Sequence, residues 1–128
     1  MEKILGIDYG LKKVGLAVSV GTLASPLKVI RYSSLEQLVI EIKQTAEKEN
    51  IEVLVVGVSE GKSAESARKF GGVLAEELNL PVNFVDETLS TQDVQRLTQE
   101  AGMKRKKRKE MEDAFAAALI LQSYLDSR

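Results

Sequence analysis

Three carboxylates in this chain, Asp8, Glu87 and Asp113, stand where acids are not needed for solubility. Asp8 closes the apolar run Ile4-Leu5-Gly6-Ile7, at the carboxyl end of a predicted strand, where α/β sheets place ligand sites. Strand alternation puts it on one face with Ile4 and Gly6, although an Asp before Tyr9-Gly10 is also a good turn former. Asp113 is followed at i+3, i+4 and i+7 by Ala116, Ala117 and Ile120, with Tyr124 further along, so on a helix it points with the apolar stripe. Gln122 and Asp126 then fall on the opposite, wet face. A carboxylate so placed costs several kcal/mol unless a metal ion, or a lysine or arginine, compensates it. The small alanines would also let this helix approach a sheet closely. Glu87, in Asp86-Glu87-Thr88-Leu89-Ser90-Thr91, follows a second predicted strand. An acid there equally suits the N-terminus of the next helix, gaining ~0.3–1 kcal/mol from its dipole. Three converging carboxylates repel one another until cations neutralise them, which suits hard ions with oxygen ligands, Mg²⁺ or Mn²⁺. Two such ions ~4 Å apart activate a water and stabilise the leaving oxygen of a phosphodiester.

Composition narrows the chemistry. The chain has no cysteine and no histidine, which excludes disulfides, thiolate sites, Ser-His-Asp and Cys-His machinery and an imidazole base. With 128 residues, 44% hydrophobic and 29% charged, it suits one domain over residues 1–128. The opening residues lack the apolar core of a signal peptide, and the longest apolar stretch is too short to span a bilayer. The expectation is a cytoplasmic protein with no membrane partner. Net charge is −1, but residues 104–128 hold 7 basic and 4 acidic side chains against 11 and 15 in residues 1–103. Six cations form one block, Lys104-Arg105-Lys106-Lys107-Arg108-Lys109, either a solvated loop or a grip on phosphates.

These residues need positioning. Strands are predicted at 3–8, 14–20 and 27–31, an antiparallel meander in which the third begins after Pro26. A helix follows, with Ser34 to Gln37 matching a capping box and Asn50 ending it. A buried strand covers 51–58, a helix carries Ala64, Ala67, Gly71, Leu74 and Leu78, and a short strand covers 82–85. Ser90 caps a helix that Gly102 closes, and a last helix runs from about 109 to 124. The order βββαβαβαα gives an α/β fold. Its mixed five-stranded sheet joins an antiparallel meander to parallel strands and is flanked by helices. Gly57-Val58-Ser59-Glu60-Gly61-Lys62-Ser63 looks like a phosphate loop, but GxxxxGK[ST] needs glycine where Val56 stands.

With Gly6-Ile7-Asp8-Tyr9-Gly10, Val14-Gly15-Leu16-Ala17-Val18-Ser19, Val55-Val56-Gly57, the Asp86 to Thr91 motif and Asp113-Ala114-Phe115-Ala116-Ala117-Ala118-Leu119-Ile120-Leu121-Gln122 in order, the chain resembles the YqgF/RuvX family. The match spans nearly its whole length. The resemblance implies a ribonuclease H-like fold related to RuvC resolvases. It also implies metal-dependent cleavage by Asp8, Glu87 and Asp113, in either pre-16S rRNA processing or Holliday junction resolution. Lys13 stands where the family commonly has arginine, keeping the charge but losing the bidentate fork, and Thr88 replaces a common arginine. Glu60, at the end of the central strand, is a rival to Glu87, because RuvC-like enzymes carry a metal-binding glutamate there.

The expected function is a nuclease on structured nucleic acid, with precursor rRNA preferred to branched DNA. Lys13 and the basic block would contact the nucleic acid, and the protein would act as a monomer or homodimer. A non-catalytic RNA-binding assembly factor and a nucleotide-binding phosphotransferase are the competing readings.

Overall fold

In the computed structural model, which describes residues 2–58, 62–86, 102 and 104–128, the first strand sets the geometry of the rest. β1 (Ile4–Asp8) pairs antiparallel with β2 (Lys13–Val20), which pairs antiparallel with β3 (Leu23–Arg31). On its other side β1 pairs parallel with β4 (Val53–Val58), and β4 parallel with β5 (Val82–Asp86). The sheet order is β3-β2-β1-β4-β5, the mixed five-stranded arrangement expected. Because β1, β4 and β5 run parallel, their carboxyl ends share one edge of the sheet, so Asp8 and Asp86 lie along the same rim.

β3 starts four residues earlier than predicted and contains Pro26. It is an edge strand, where a missing N–H is tolerated, and the register slips between Leu16 and Ala17, opposite Pro26. α1 (Leu35–Lys48) begins at Ser34, whose hydroxyl accepts from the Gln37 amide at 3.2 Å. The Gln37 side chain meets Ser33 instead of returning to Ser34, so only half of the capping box forms. Asn50 and Asn79, both at positive φ, end α1 and α2 (Lys62–Leu78).

The two faces of the sheet carry different layers. Leu5, Ile7, Val14, Leu16, Leu54 and Val56 pack under Leu38, Ile42, Phe70 and Leu74 of α1 and α2. The opposite face, with Ile4, Ala17, Val53 and Val55, receives Ala117, Ile120 and Leu121 of α3 (Arg105–Asp126). Here the sheet presents glycines. A Cβ on Gly6 would stand 2.8 Å from the Leu121 Cβ, one on Gly15 would collide with the Asp113 carbonyl, and one on Gly57 with Ile120. Ala114, Ala117 and Ala118 complete the contact from the helix side. Small residues on both partners bring the α3 backbone down onto the sheet.

α3 differs from expectation in two ways. It begins at Arg105, so the basic block forms its first turns instead of a loop before it, as the good helix propensity of Lys and Arg allows. Gln122 stays partly exposed on the polar side, but it is also tied into the fold. Its Oε1 accepts from the Ala24 amide at 2.9 Å and its Nε2 donates to the Thr22 carbonyl at 3.0 Å, tying the helix to the β2–β3 hairpin. The helix expected over residues 90–101 lies outside the described residues.

Gly15→Ala places a methyl against helix backbone, which cannot yield like a flexible side chain. The expected result is a loss of at least ~2 kcal/mol in urea unfolding. Retention of wild-type stability would show that α3 has freedom to lift.

Candidate functional site

Asp8 comes to this face because it is an even number of residues from Ile4 and Gly6, and Gly15 is its cross-strand partner. Gly15 is also where α3 touches down, at Asp113. The same small contact therefore seats the helix and brings its carboxylate beside that of Asp8. The effect is visible in the acidity of Asp8: burial, and then the Asp113 charge, raise its pKa from 3.8 to about 6.

Asp113 answers to two neighbours. The Lys13 ammonium lies 3.0 Å from its Oδ2, yet that oxygen is buried and has no hydrogen-bond partner among the described residues. The contact is therefore a charge pair outside hydrogen-bonding alignment, and Oδ2 keeps unused capacity as a donor to a cation. Lys13 is on the same face as Gly15 by alternation along β2, and its side chain remains 38% exposed. The sequence had pointed it at nucleic acid. Within the folded chain it also meets Asp113, the ion-pair alternative to a metal ion for that acid.

The turn between Asp8 and Lys13 is braced. The Tyr32 hydroxyl donates to the Gly10 carbonyl at 2.6 Å and its amide to the Lys12 carbonyl at 3.2 Å. Burial, with Tyr9 adding to it, pushes the Tyr32 phenol up to about 12, so the donor keeps its proton across the working range. Tyr9 stacks on Phe70, ring centroids 4.4 Å apart, anchoring the turn to α2. Nothing in the spacing of Tyr9, Tyr32 and Phe70 announces this brace.

Glu87 and its rival Glu60 lie outside the described residues. Asp86, the last residue of β5, is an exposed neighbour of Arg68 at 3.8 Å and does not join Asp8 and Asp113. Among the described residues no group of three acidic, histidine or cysteine side chains could hold a metal ion; the structure shows a pair. Of the basic block, Lys104, Arg105, Lys106, Lys107 and Lys109 are exposed. At ~100° per residue, Lys106 and Lys109 share the helix stripe of Asp113, ~6–11 Å toward the N-terminus by helical rise. The first turn of α3 has no acidic residue, and no side chain caps it. The positive end of the helix dipole thus carries cations where anions are favoured.

The pair of acids fits a divalent cation. It is partly buried, and among the described residues it is short of positive charge even with Lys13 in contact and offers an oxygen without a hydrogen bond. No described helix is long and apolar enough to cross a membrane.

Residues 2–127 match the model of a family described as RuvX, Holliday junction resolvase. A protein of Endomicrobium trichonymphae, provisionally named pre-16S rRNA nuclease, is 38% identical over 98% of this chain and 96% of its own length. One from Caldanaerobacter subterraneus subsp. tengcongensis with the same name is 40% identical over 98% and 97%. Among solved structures, Thermus thermophilus RuvC in complex with a Holliday junction substrate superposes with a TM-score of 0.69 at 18% identity, covering 100% of this chain and 96% of that one. The fowlpox virus Holliday junction resolvase gives 0.63 at 13% identity, covering 98% of each. The fold is ribonuclease H-like, as the resemblance implied.

The raised pKa of Asp8 has a thermodynamic counterpart. The folded chain holds this proton more tightly than the unfolded chain, so its contribution is complete below about 3.8 and is lost as pH rises through about 6. In chelator-treated protein, Asp8→Asn should therefore melt higher than wild type at pH 7.5, by up to ~3 kcal/mol. The difference should shrink toward zero near pH 4. A pH-independent difference would contradict the raised pKa that burial first, and the Asp113 charge second, give Asp8.

Proposed function

This chain belongs to the RuvX family, and we propose that it is a metal-dependent nuclease hydrolysing phosphodiester bonds in structured nucleic acid, with the 5′ end of pre-16S rRNA as its target in ribosome biogenesis. The observation that carries the reading is the juxtaposition of Asp8 and Asp113 over the sheet, with a buried Oδ2 that has no hydrogen-bond partner among the described residues. The names of the curated relatives favour RNA. The description of the family model favours a four-way DNA junction as the second substrate.

Asp8 and Asp113 would hold Mg²⁺ or Mn²⁺, with Glu87 as the third carboxylate and Glu60 as its rival. In the sequence Glu87 directly follows Asp86, whose strand end lies on the rim that carries Asp8. When bound, the cation supplies Lewis acidity toward the phosphate and lowers the pKa of a water nucleophile. The protein's part is positional. Asp8 is fixed by β-pairing on both sides of its strand, Asp113 by the contact of α3 with Gly15, and the turn between Asp8 and Lys13 by Tyr32. The carboxylates also fill the role that histidine takes in other hydrolases, since the chain has none.

The basic start of α3 serves the substrate. Cations on a helix N-terminus are locally unfavourable, and a phosphate backbone reverses that balance by meeting both the side-chain charge and the free amides. A site within cytoplasmic RNA metabolism agrees with this arrangement.

Asp113→Asn should lower Mn²⁺-supported cleavage of precursor rRNA by at least ~100-fold, the scale of several kcal/mol of lost charge stabilisation, with an unchanged circular dichroism spectrum. Undiminished cleavage would remove Asp113 from the site. A four-way DNA junction run in parallel ranks the two substrates. Replacing Lys106 and Lys109 with Gln should flatten the plot of log affinity against log salt by ~1.4–1.8, the release of two counterions. An unchanged slope would place the phosphate grip elsewhere.

A further inference from the structure

Lys13 is the residue whose place the nuclease reading does not explain. A side chain meant only for a phosphate backbone gains from standing free, yet its ammonium rests 3.0 Å from Asp113 Oδ2. Among the described residues that atom has no hydrogen-bond partner. An ammonium and a divalent cation compete for the same oxygen, because each neutralises it and both do not fit within coordination distance. The pair is also built to release. Lys13 is 38% exposed, its contact lacks hydrogen-bonding alignment, and its flexible four-carbon stem lets the ammonium swing toward solvent. It follows β1 by a short turn that Tyr32 pins at Gly10 and Lys12, so the base of the side chain stays fixed while its tip moves.

We infer that Lys13 is a built-in counter-ion for Asp113 that an incoming divalent cation displaces, so that Lys13 sets the metal affinity of the site. In the metal-free protein it offsets part of the repulsion between Asp8 and Asp113, which keeps the two acids together before any ion arrives. Displacement then frees one positive charge at the mouth of the site. The inference rests on the divalent-cation reading of Asp8 and Asp113.

Mn²⁺ binding to the chelator-treated full chain, measured by calorimetry and by the electron paramagnetic resonance of free Mn²⁺, tests it without reference to cleavage. Lys13→Met keeps the stem and removes the charge. It should bind Mn²⁺ about five-fold more tightly than wild type, the scale of a partly exposed ion pair, while its metal-free form melts lower. Lys13→Arg keeps a cation and should bind Mn²⁺ within about two-fold of wild type. Unchanged or weaker binding by Lys13→Met, with wild type binding normally, overturns the counter-ion role alone. If wild-type protein binds no Mn²⁺ and Asp8→Asn makes no difference, the metal reading falls, and this inference falls with it.

Discussion

The close seating of α3 on the glycine face of the sheet is the constraint on which the site depends. Gly6, Gly15 and Gly57 leave no side chain between strand backbone and helix, and Ala114, Ala117 and Ala118 leave little on the other side. Larger residues would raise the helix, since helix and sheet otherwise stand ~10 Å apart. With the helix lowered, a carboxylate on its third turn reaches one at the end of the central strand. Gln122, at the far end of the same helix, hydrogen-bonds to the β2–β3 hairpin and fixes the helix against sliding. Packing and chemistry are therefore one arrangement, in which the residue that allows the closest contact, Gly15, is the cross-strand partner of Asp8.

That arrangement concentrates negative charge in a place water does not fully reach. Among the described residues two carboxylates and one ammonium leave the cluster short of positive charge, and the upward displacement of Asp8, from burial first and the Asp113 charge second, records the cost. Such an imbalance is destabilising for a purely structural site, whereas a site that must accept a divalent cation requires it. The cations at the start of α3 make the same point in reverse: they sit unfavourably at a helix N-terminus, and under the proposed function a phosphate would match them. Local costs of this kind collect at functional sites.

How much could be read from the chain follows the range of each interaction. The inward aim of Asp113 came from its i+3, i+4 and i+7 neighbours, and the facing of Asp8 from strand alternation; both are local periodicities. The order of strands and helices came from the same signals. What failed was decided across the fold. Gln122 sits on the polar side of the helical wheel, but a hairpin 98 residues earlier in the chain folds over it. Pro26 looked like a boundary and became an interior residue of an edge strand, because edge position is a property of the sheet. The basic block looked like a loop because its charge pattern hides a helix propensity that Lys and Arg share. Lys13 and Asp113, 100 positions apart, have no sequence signal linking them. The roles of Gly6, Gly15 and Gly57 became legible only once the helix facing them was known.

The central claim is that Asp8 and Asp113 bind one divalent cation between them, and anomalous diffraction from crystals soaked in Mn²⁺ tests it most directly. The account predicts a peak ~2.0–2.2 Å from an oxygen of each carboxylate, with the Lys13 ammonium withdrawn from Asp113. Crystals that show no peak there, with Lys13 still in contact with Asp113 Oδ2, would contradict it.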